Sequence, residues 1–291
     1  MMIANSTTSD ARAFEPGRFG YPRVGRGVPA ASPPRSSWPL STVATVLALA
    51  ALVSLAGPVF AQPSAHELLL RAENTVFPDS FRAEVTLTTR EDDETTFEME
   101  LSLDYKQDVG SYMEILAPER SRGLRFLQID DSLWMYNPRA AGGRALRLSP
   151  RDSFQGSAFS NRDLSDPEFA DSYSVELAGS ETIEHPDLGD VECWVLEATA
   201  EDDQLAYARV RLWIAKEREI LVRSHYLAKS GLLFKTAEYL DIRQIAGAER
   251  PTTIEMRDRQ QANRVSTMSI TSMEVANDLP NRVFTQRNLT R

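Results

Sequence analysis

The sequence predicts a mainly β (α+β) protein built on one wide, curved antiparallel sheet. Three observations support this fold class: two runs with strict alternation of apolar and polar residues, about a dozen strand-like runs joined by turn residues, and few helix signals. The chain has 291 residues, of which 42% are hydrophobic and 25% are charged. This composition is ordinary for a globular protein.

The clearest strand signal lies at residues 97–105, where apolar residues alternate with Glu, Ser and Asp over nine positions. This period of two is typical of a half-buried strand. Residues 81–87 show the same alternation, and the acidic segment 90–94 between the two runs predicts a hairpin loop. Further strand-like runs occupy 111–117, 123–129, 132–137, 144–148, 173–178, 191–199, 207–215, 220–229, 232–242, 252–259 and 264–275.

So many short strands predict one large sheet and not two domains. A sheet of this width must curl or close, and curling gives it a concave apolar face. A helix, a loop or a ligand must cover that face. The segment Ser64–Glu67 has the capping-box pattern and predicts a helix over roughly 64–75, which ends near Pro78.

Residues 149–171 fit no strand and are rich in Ser, with three spaced phenylalanines. A long loop within a compact domain is usually functional or acts as a lid. We expect one helical turn at 161–164 inside it. A second short helix is expected to start at Asp278, because Asp is a good N-cap residue, with Phe284 as its packing residue.

The first 61 residues differ from the rest of the chain. A segment rich in Arg, Ser, Pro and Gly precedes an uncharged apolar run from Leu40, and Val59 and Ala61 suit the positions before a cleavage site. This pattern predicts an N-terminal extension and signal peptide over 1–61 and one mature domain over 62–291, exported to the periplasm. The alternative is an uncleaved inner-membrane anchor, for which the apolar run is just long enough.

The predicted mature domain is acidic, with 27 basic and 40 acidic residues and a net charge of −13. This charge argues against nucleic acid as a partner and against tight binding to anionic headgroups. The single cysteine, Cys193, cannot form an internal disulfide, and its apolar surroundings in the sequence predict a buried core residue.

No motif supports catalysis, a cofactor or a metal site. The three histidines, His66, His185 and His225, lack ligand spacing, and nucleotide-binding and nucleophile-elbow motifs are absent from the sequence. The adjacent acids at 130–131 and 201–203 are expected to point to opposite faces of their strands and to be solvated, with a weak calcium contact as the alternative. The sequence therefore predicts a protein that is not an enzyme.

Four segments resemble the LolA-like outer membrane lipoprotein-sorting protein family. They are RGLRFL at 122–127, LWMYNP at 133–138, RALRL at 144–148 and FQGSAFSNRDL at 154–164, and VFTQRNL at 283–289 extends the resemblance. The resemblance covers 64–291. Ala158 stands where the family pattern has Asp, which removes a polar role for that position.

The resemblance implies a curved, incomplete antiparallel β-barrel with a few short helices over its concave face. It also implies a monomeric periplasmic carrier, peripheral to membranes, that binds acyl chains of lipids or lipoproteins in an apolar cavity for transfer to the outer membrane. The alternative is a non-enzymatic accessory or sensor domain that binds a protein partner, such as an exporter of the inner membrane. Within the matching stretch, the lipid-binding candidates are Leu124, Phe126, Trp134, Tyr136, Phe154 and Phe159.

Overall fold

The computed structural model describes residues 63–130, 132–166, 169–202, 205–261 and 263–291. The predicted N-terminal extension and signal peptide, residues 1–61, lie outside this part, so the prediction of a signal peptide stays a prediction. None of the described helices has the length and apolar character needed to cross a bilayer.

One antiparallel sheet of thirteen strands forms the body of the described chain. The strands are β1 (Ser80–Glu91), β2 (Glu94–Lys106), β3 (Gly110–Ala117), β4 (Arg125–Ile129), β5 (Ser132–Tyr136), β6 (Leu146–Leu148), β7 (Tyr173–His185), β8 (Gly189–Ala200), β9 (Arg209–Ala215), β10 (Ile220–Leu227), β11 (Leu233–Ile245), β12 (Ala248–Asp258) and β13 (Arg264–Val275). Their order in the sheet is β6-β5-β4-β3-β2-β1-β13-β12-β11-β10-β9-β8-β7. The sheet is open, because β6 and β7 are its two edges, and the predicted fold class is confirmed.

The hairpin of β1 and β2 shows how the alternation sets the fold. Asp92 and Asp93 connect the strands with φ angles of 49° and 65°, the left-handed backbone that a two-residue hairpin turn of type I′ requires. Leu87 then pairs with Met99 and Val85 with Leu101, so both strands bury the same face.

Three short helices accompany the sheet in the part of the chain that the structure describes. The helix α1 (Ala65–Val76) starts at Ser64, whose side chain accepts a hydrogen bond from the Glu67 N–H while the Glu67 carboxylate accepts one from the Ser64 N–H. The predicted capping box is therefore confirmed. The turn α2 (Asn161–Ser165) begins at Ser160 with a second capping box, and α3 (Gln286–Leu289) lies at the C-terminus.

The two faces of the sheet carry different clusters. We call the face that α1 crosses the inner face; its apolar residues form the inner core, in which Phe81, Leu101, Phe126 and Leu212 are buried. Two smaller clusters lie on the outer face. One surrounds Cys193 and is called the Cys193 cluster; the other lies between β3–β5 and residues 276–289 and is called the C-terminal cluster.

The predicted helix start at Asp278 is wrong, although Phe284 is buried in the C-terminal cluster as expected. A helix from Asp278 would place Leu279 in helical conformation directly before Pro280, which proline disfavours. A 3₁₀ turn instead spans Asn281–Val283 after Pro280, and Thr285 caps α3 by accepting a hydrogen bond from the Asn288 N–H.

Candidate functional site

An apolar pocket lies on the inner face beneath α1. The helix buries Leu68, Leu69, Ala72 and Val76 and packs against β7, β9, β10 and β12. The pocket is lined mainly by aromatic rings and methionines, with a few charged groups. Its lining residues are Glu73, Val76, Phe77, Phe159, Arg162, Asp163, Asp166, Phe169, Tyr207, Leu221, Tyr226, Tyr239, Ile254, Met256 and Met268.

The end of α1 is held over the pocket by two charged side chains. The Glu73 carboxylate Oε1 accepts hydrogen bonds from the backbone N–H of Phe169 at 2.5 Å and of Ala170 at 3.2 Å. Arg250, which is 6% exposed, donates from Nη1 to the carbonyl of Asn74. Hydrogen bonds to charged groups are the stronger kind, so these contacts connect α1 to the 149–171 segment and to β12.

One wall of the pocket carries a chain of hydrogen-bonded polar groups. The Tyr207 hydroxyl donates to Oδ2 of Asp163 at 2.5 Å, and the Asp163 carboxylate also accepts the Ser160 N–H at 2.6 Å. The Lys235 ammonium lies 5.5 Å from the centre of the Tyr207 ring and 3.4 Å from its hydroxyl. The Asp163 carboxylate therefore lines an apolar pocket while it accepts hydrogen bonds from Tyr207 and Ser160.

Burial keeps the tyrosines of this region neutral. It raises the pKa of Tyr207 well above its usual value, and the nearby Asp163 charge adds to the shift. Burial also raises the pKa of Tyr226 well above its usual value and that of Tyr239 to about 12. The rings of Tyr207 and Tyr226 are 4.4 Å apart, so these side chains act at neutral pH as apolar rings with hydroxyl groups.

The pocket is nearly filled by these side chains. Its cavity is about 40 Å³, and a neighbouring cavity of about 10 Å³ shares Phe77, Asp163 and Met268 in its lining. Sites that hold small molecules are typically ~300–1,000 Å³. A ligand of lipid size therefore requires α1 and the side chains beneath it to move outward.

The six predicted lipid-binding residues lie on both faces of the sheet. Leu124, Phe126, Phe154 and Phe159 belong to the inner core, where the rings of Phe126 and Phe154 are 5.0 Å apart. Among the six, Phe159 alone lines the larger cavity. Trp134 and Tyr136 lie on the outer face in the C-terminal cluster. The structure brings the first four together and separates them from the last two.

Sequence reasoning missed most of the pocket lining, including Tyr207, Met256 and Met268. These residues occupy strands with ordinary alternation, or loops beside them, and only the path of α1 across the sheet distinguishes them. The sequence feature that points to the pocket is the capping box of α1, because it predicts a helix that can cover part of the sheet.

The remaining sequence-predicted features lie apart from the pocket. Cys193 is fully buried in the Cys193 cluster, as predicted, and burial raises its pKa to about 11. His66 is exposed, and His185 is buried with Nε2 3.0 Å from the Tyr239 carbonyl. Burial lowers the pKa of His225. Within the described residues, no three His, Cys, Asp or Glu side chains come close enough to hold a metal ion.

Comparison with solved structures gives the same fold. A LolA superfamily protein of Nitrosomonas europaea is 28% identical, with a TM-score of 0.70 over 78% of this chain and 100% of that chain. A putative outer membrane lipoprotein-sorting protein domain of Vibrio parahaemolyticus is 20% identical, with a TM-score of 0.67 over 78% and 98%. A DUF1329 family protein of Desulfovibrio piger is 19% identical, with a TM-score of 0.65 over 77% and 97%. A comparison with curated proteins gives no significant match.

The open thirteen-stranded sheet and the helix-covered apolar pocket define a protein of the LolA-like, lipoprotein-sorting fold class. A family model with the description "Uncharacterized protein" matches residues 107–291. The chain belongs to that family, and its fold is that of the LolA superfamily protein.

Proposed function

We propose that this protein is a periplasmic carrier that binds acyl chains of lipids or lipoproteins beneath α1 for transfer to the outer membrane. The observation that carries the proposal is the pocket itself, an apolar space between α1 and the inner face of the sheet. The lipoprotein-sorting name of a protein with the same fold supports the choice of cargo.

The lining suits a flexible apolar chain. Each methylene group that leaves water contributes about 0.8 kcal/mol. Met256 and Met268 are unbranched and adapt to irregular shapes, while Val76 and Phe77 of the α1 end close the pocket. Acyl chains therefore enter when α1 moves away from the sheet. The hydrogen bonds of Glu73 and Arg250 then return α1 to its place over the pocket.

The charged groups of the lining suit the polar end of such a cargo. Arg162 and Asp166 form an ion pair at 3.0 Å, and both side chains are partly exposed. A carrier requires no reacting group, and the hydroxyl of Tyr207 is engaged with Asp163. We therefore assign the protein a binding role and not a catalytic one.

Transport between membranes also requires export. The predicted signal peptide at 1–61 supports a periplasmic location, and an uncleaved segment would tether the carrier to the inner membrane. Mass spectrometry of the protein isolated from cell envelopes decides between these two forms, because cleavage after Ala61 leaves Gln62 as the first residue.

Uptake of a fluorescent fatty acid tests the proposal with two variants of the same strand. Met268→Trp fills the pocket, since Met268 lines both cavities. Val275→Trp introduces the same side chain on β13 at a position that is 46% exposed. We expect Met268→Trp to abolish uptake and Val275→Trp to leave it unchanged. Equal uptake by both variants, or no uptake by the original protein, would rule the carrier out.

A second function, binding of a protein partner, is favoured by the edge strand β7. It has thirteen residues, most of them exposed, and contains three glutamates but no Lys or Arg. A long unprotected edge can pair with an extended segment of another chain. Proline at an exposed β7 position such as Ser180 would weaken capture of an inner-membrane partner such as an exporter, while fatty-acid uptake would not change.

A further inference from the structure

The charges of the chain are strongly segregated. Residues 118–151 contain seven arginines and three acids, and residues 281–291 contain three arginines and no Asp or Glu. The remainder of 62–291 holds 17 basic and 37 acidic residues. An acidic protein therefore carries a local excess of positive charge in two segments that are distant in the sequence.

The fold brings these two segments together at the β6 edge of the sheet. Ala145, next to Arg144, packs in the same C-terminal cluster as Leu289 of α3. Arg125 on β4 donates to the main-chain oxygens of Leu289 at 3.3 Å and of Arg291 at 2.8 Å. The cations of the loop before β6 and those of the C-terminus thus share one end of the molecule.

We call the surface made by Trp134, Arg144, Leu146, Arg147, Arg287 and Arg291 the arginine end. The four arginines are exposed, and within the described part of the chain none of them lies within 4 Å of a carboxylate of a side chain. Most other exposed arginines of β1 and β9–β13 do have such a partner, for example Arg211 with Glu197 at 2.6 Å. The charge of the arginine end is therefore available to an external anion.

Apolar groups lie among these arginines. Leu146 is 57% exposed, one of the most exposed large hydrophobic side chains that the structure describes. It pairs with Met135, which packs against the inner core, so Leu146 extends the inner face to the edge of the sheet. On the outer face, Arg147 pairs with Trp134, which is half-buried.

We propose that the arginine end docks the protein on a bilayer that contains anionic phospholipids. Arginines next to a membrane surface each contribute about 1 kcal/mol of attraction to anionic lipid, and tryptophan and exposed leucine suit the headgroup boundary. The acidic remainder of the protein is repelled by the same surface, so the molecule is oriented with β6 toward the lipid. A partner that binds by charge alone, such as an acidic protein, would gain nothing from contact with the exposed Leu146.

Net charge alone argues against tight binding to anionic headgroups, and the arginine end is a local exception to that expectation. Net charge describes the whole molecule, whereas screening at physiological ionic strength limits each interaction to about 8 Å. The local cluster of arginines therefore interacts with a nearby anionic membrane, whereas the repulsion from distant carboxylates is screened. Docking through this end does not depend on a cargo in the pocket.

Vesicle flotation tests the docking surface. The protein is expressed from the whole chain and is used in the form in which it is isolated from cells, after any processing. Vesicles of phosphatidylcholine alone are compared with vesicles that contain 30% phosphatidylglycerol, a fraction chosen on the order of the anionic content of natural membranes. The test variant is Arg144→Gln/Arg147→Gln. The control, Arg243→Gln/Arg259→Gln, removes the same charge from two exposed arginines on β11 and after β12.

We expect binding to the anionic vesicles only, with a partition coefficient that falls about 25-fold in the test variant, roughly fivefold for each arginine. The control variant is expected to bind like the original protein. Leu146→Ser is expected to lower binding about fivefold, most clearly at high salt, where the ionic attraction is screened.

Three results would overturn the proposal: no binding to anionic vesicles, equal losses in the test and control variants, or binding of soluble polyglutamate in place of vesicles with the same dependence on Arg144 and Arg147. Thermal unfolding of each variant verifies that it is folded. Because the assay needs no cargo, its failure leaves fatty-acid uptake as a separate question.

Discussion

The Tyr207 hydroxyl donates a 2.5 Å hydrogen bond to Oδ2 of Asp163 inside the apolar pocket. Tyr207 precedes β9, whereas Asp163 belongs to α2 in the 149–171 segment, so this bond connects the sheet to the segment that helps to cover it. The same carboxylate completes the capping box of α2. One side chain therefore sets the position of α2 and the orientation of an aromatic pocket wall.

Replacing Tyr207 by Phe should destabilise the protein without changing the shape of the pocket. The ring remains, but the carboxylate of Asp163 loses a donor in a place with little water, which costs about 1–3 kcal/mol. The measurement is the midpoint of urea unfolding. Tyr136→Phe serves as the control, because Tyr136 is only partly buried and no hydrogen bond of its hydroxyl occurs in the described part of the chain. A loss in the control as large as in Tyr207→Phe would contradict this assignment.

Cys193 should make stability fall at alkaline pH. Burial raises the pKa of this thiol to about 11 from an ordinary value of 9.0, so the unfolded chain releases the proton first. The thiol's contribution is complete below pH 9 and is lost as the pH rises to 11, by about 2–3 kcal/mol. Above pH 10, Tyr173 and Tyr239, whose pKa values are about 12, add a loss of the same sign.

Urea unfolding at pH 7, 9, 10 and 11 measures this effect. Cys193→Ala is expected to lower stability at pH 7 and to flatten the decline between pH 9 and 11. Val195→Ala removes volume from the same cluster and keeps the thiol, so its decline should follow that of the original protein. Parallel curves for both variants would mean that the thiol is not the group that titrates.

The sequence predicts the strands well because each alternation is a local property. It could not assign the faces of β5, where Leu133 and Met135 join the inner core and Trp134 and Tyr136 join the C-terminal cluster. Both faces of this strand are covered, so all four apolar residues look alike in the sequence. Residues 276–289, which cover the outer face, lie about 140 residues away in the chain.

The pocket was less predictable than the sheet for a related reason. Its lining combines α1, the 149–171 segment and strands β10–β13, and only their packing creates the space. The capping box at Ser64 and the helical turn at 161–164 could be predicted locally, but the direction in which each helix runs across the sheet could not. The lipid-binding candidates therefore came from the segments of family resemblance, and Phe159 is the one that lines the larger cavity.

Gly110 should be irreplaceable by alanine at the start of β3. Its φ angle is +141°, and a Cβ atom there would lie 2.1 Å from the carbonyl oxygen of Gln128 on β4. The β3–β4 pairing would have to separate, and we expect a loss of stability of about 3 kcal/mol or more. Gly142→Ala is the matched control, because its φ is +96° and no atom lies within 4 Å of the new Cβ. Similar melting temperatures for the two variants would show that β3 and β4 can move apart at Gly110 with little loss of stability.

Glu73→Ala should loosen the cover of the pocket. The substitution leaves the buried backbone N–H groups of Phe169 and Ala170 without the carboxylate that now accepts them. An unsatisfied buried donor costs about 1–3 kcal/mol, so the segment before β7 should open more often. Hydrogen exchange at these two amides should speed up by about tenfold or more, and entry of a fluorescent fatty acid should become faster.

The control for this change is Glu84→Ala, which removes an exposed carboxylate from β1. It should leave both exchange and entry unchanged. Hydrogen exchange and fatty-acid entry together show whether Glu73 controls access to the pocket or only stabilises the fold. Faster exchange with unchanged entry would mean that Glu73 stabilises the 149–171 segment but that ligands reach the pocket by another route. Unchanged exchange would mean that α1 is held over the sheet mainly by its buried leucines and by Arg250.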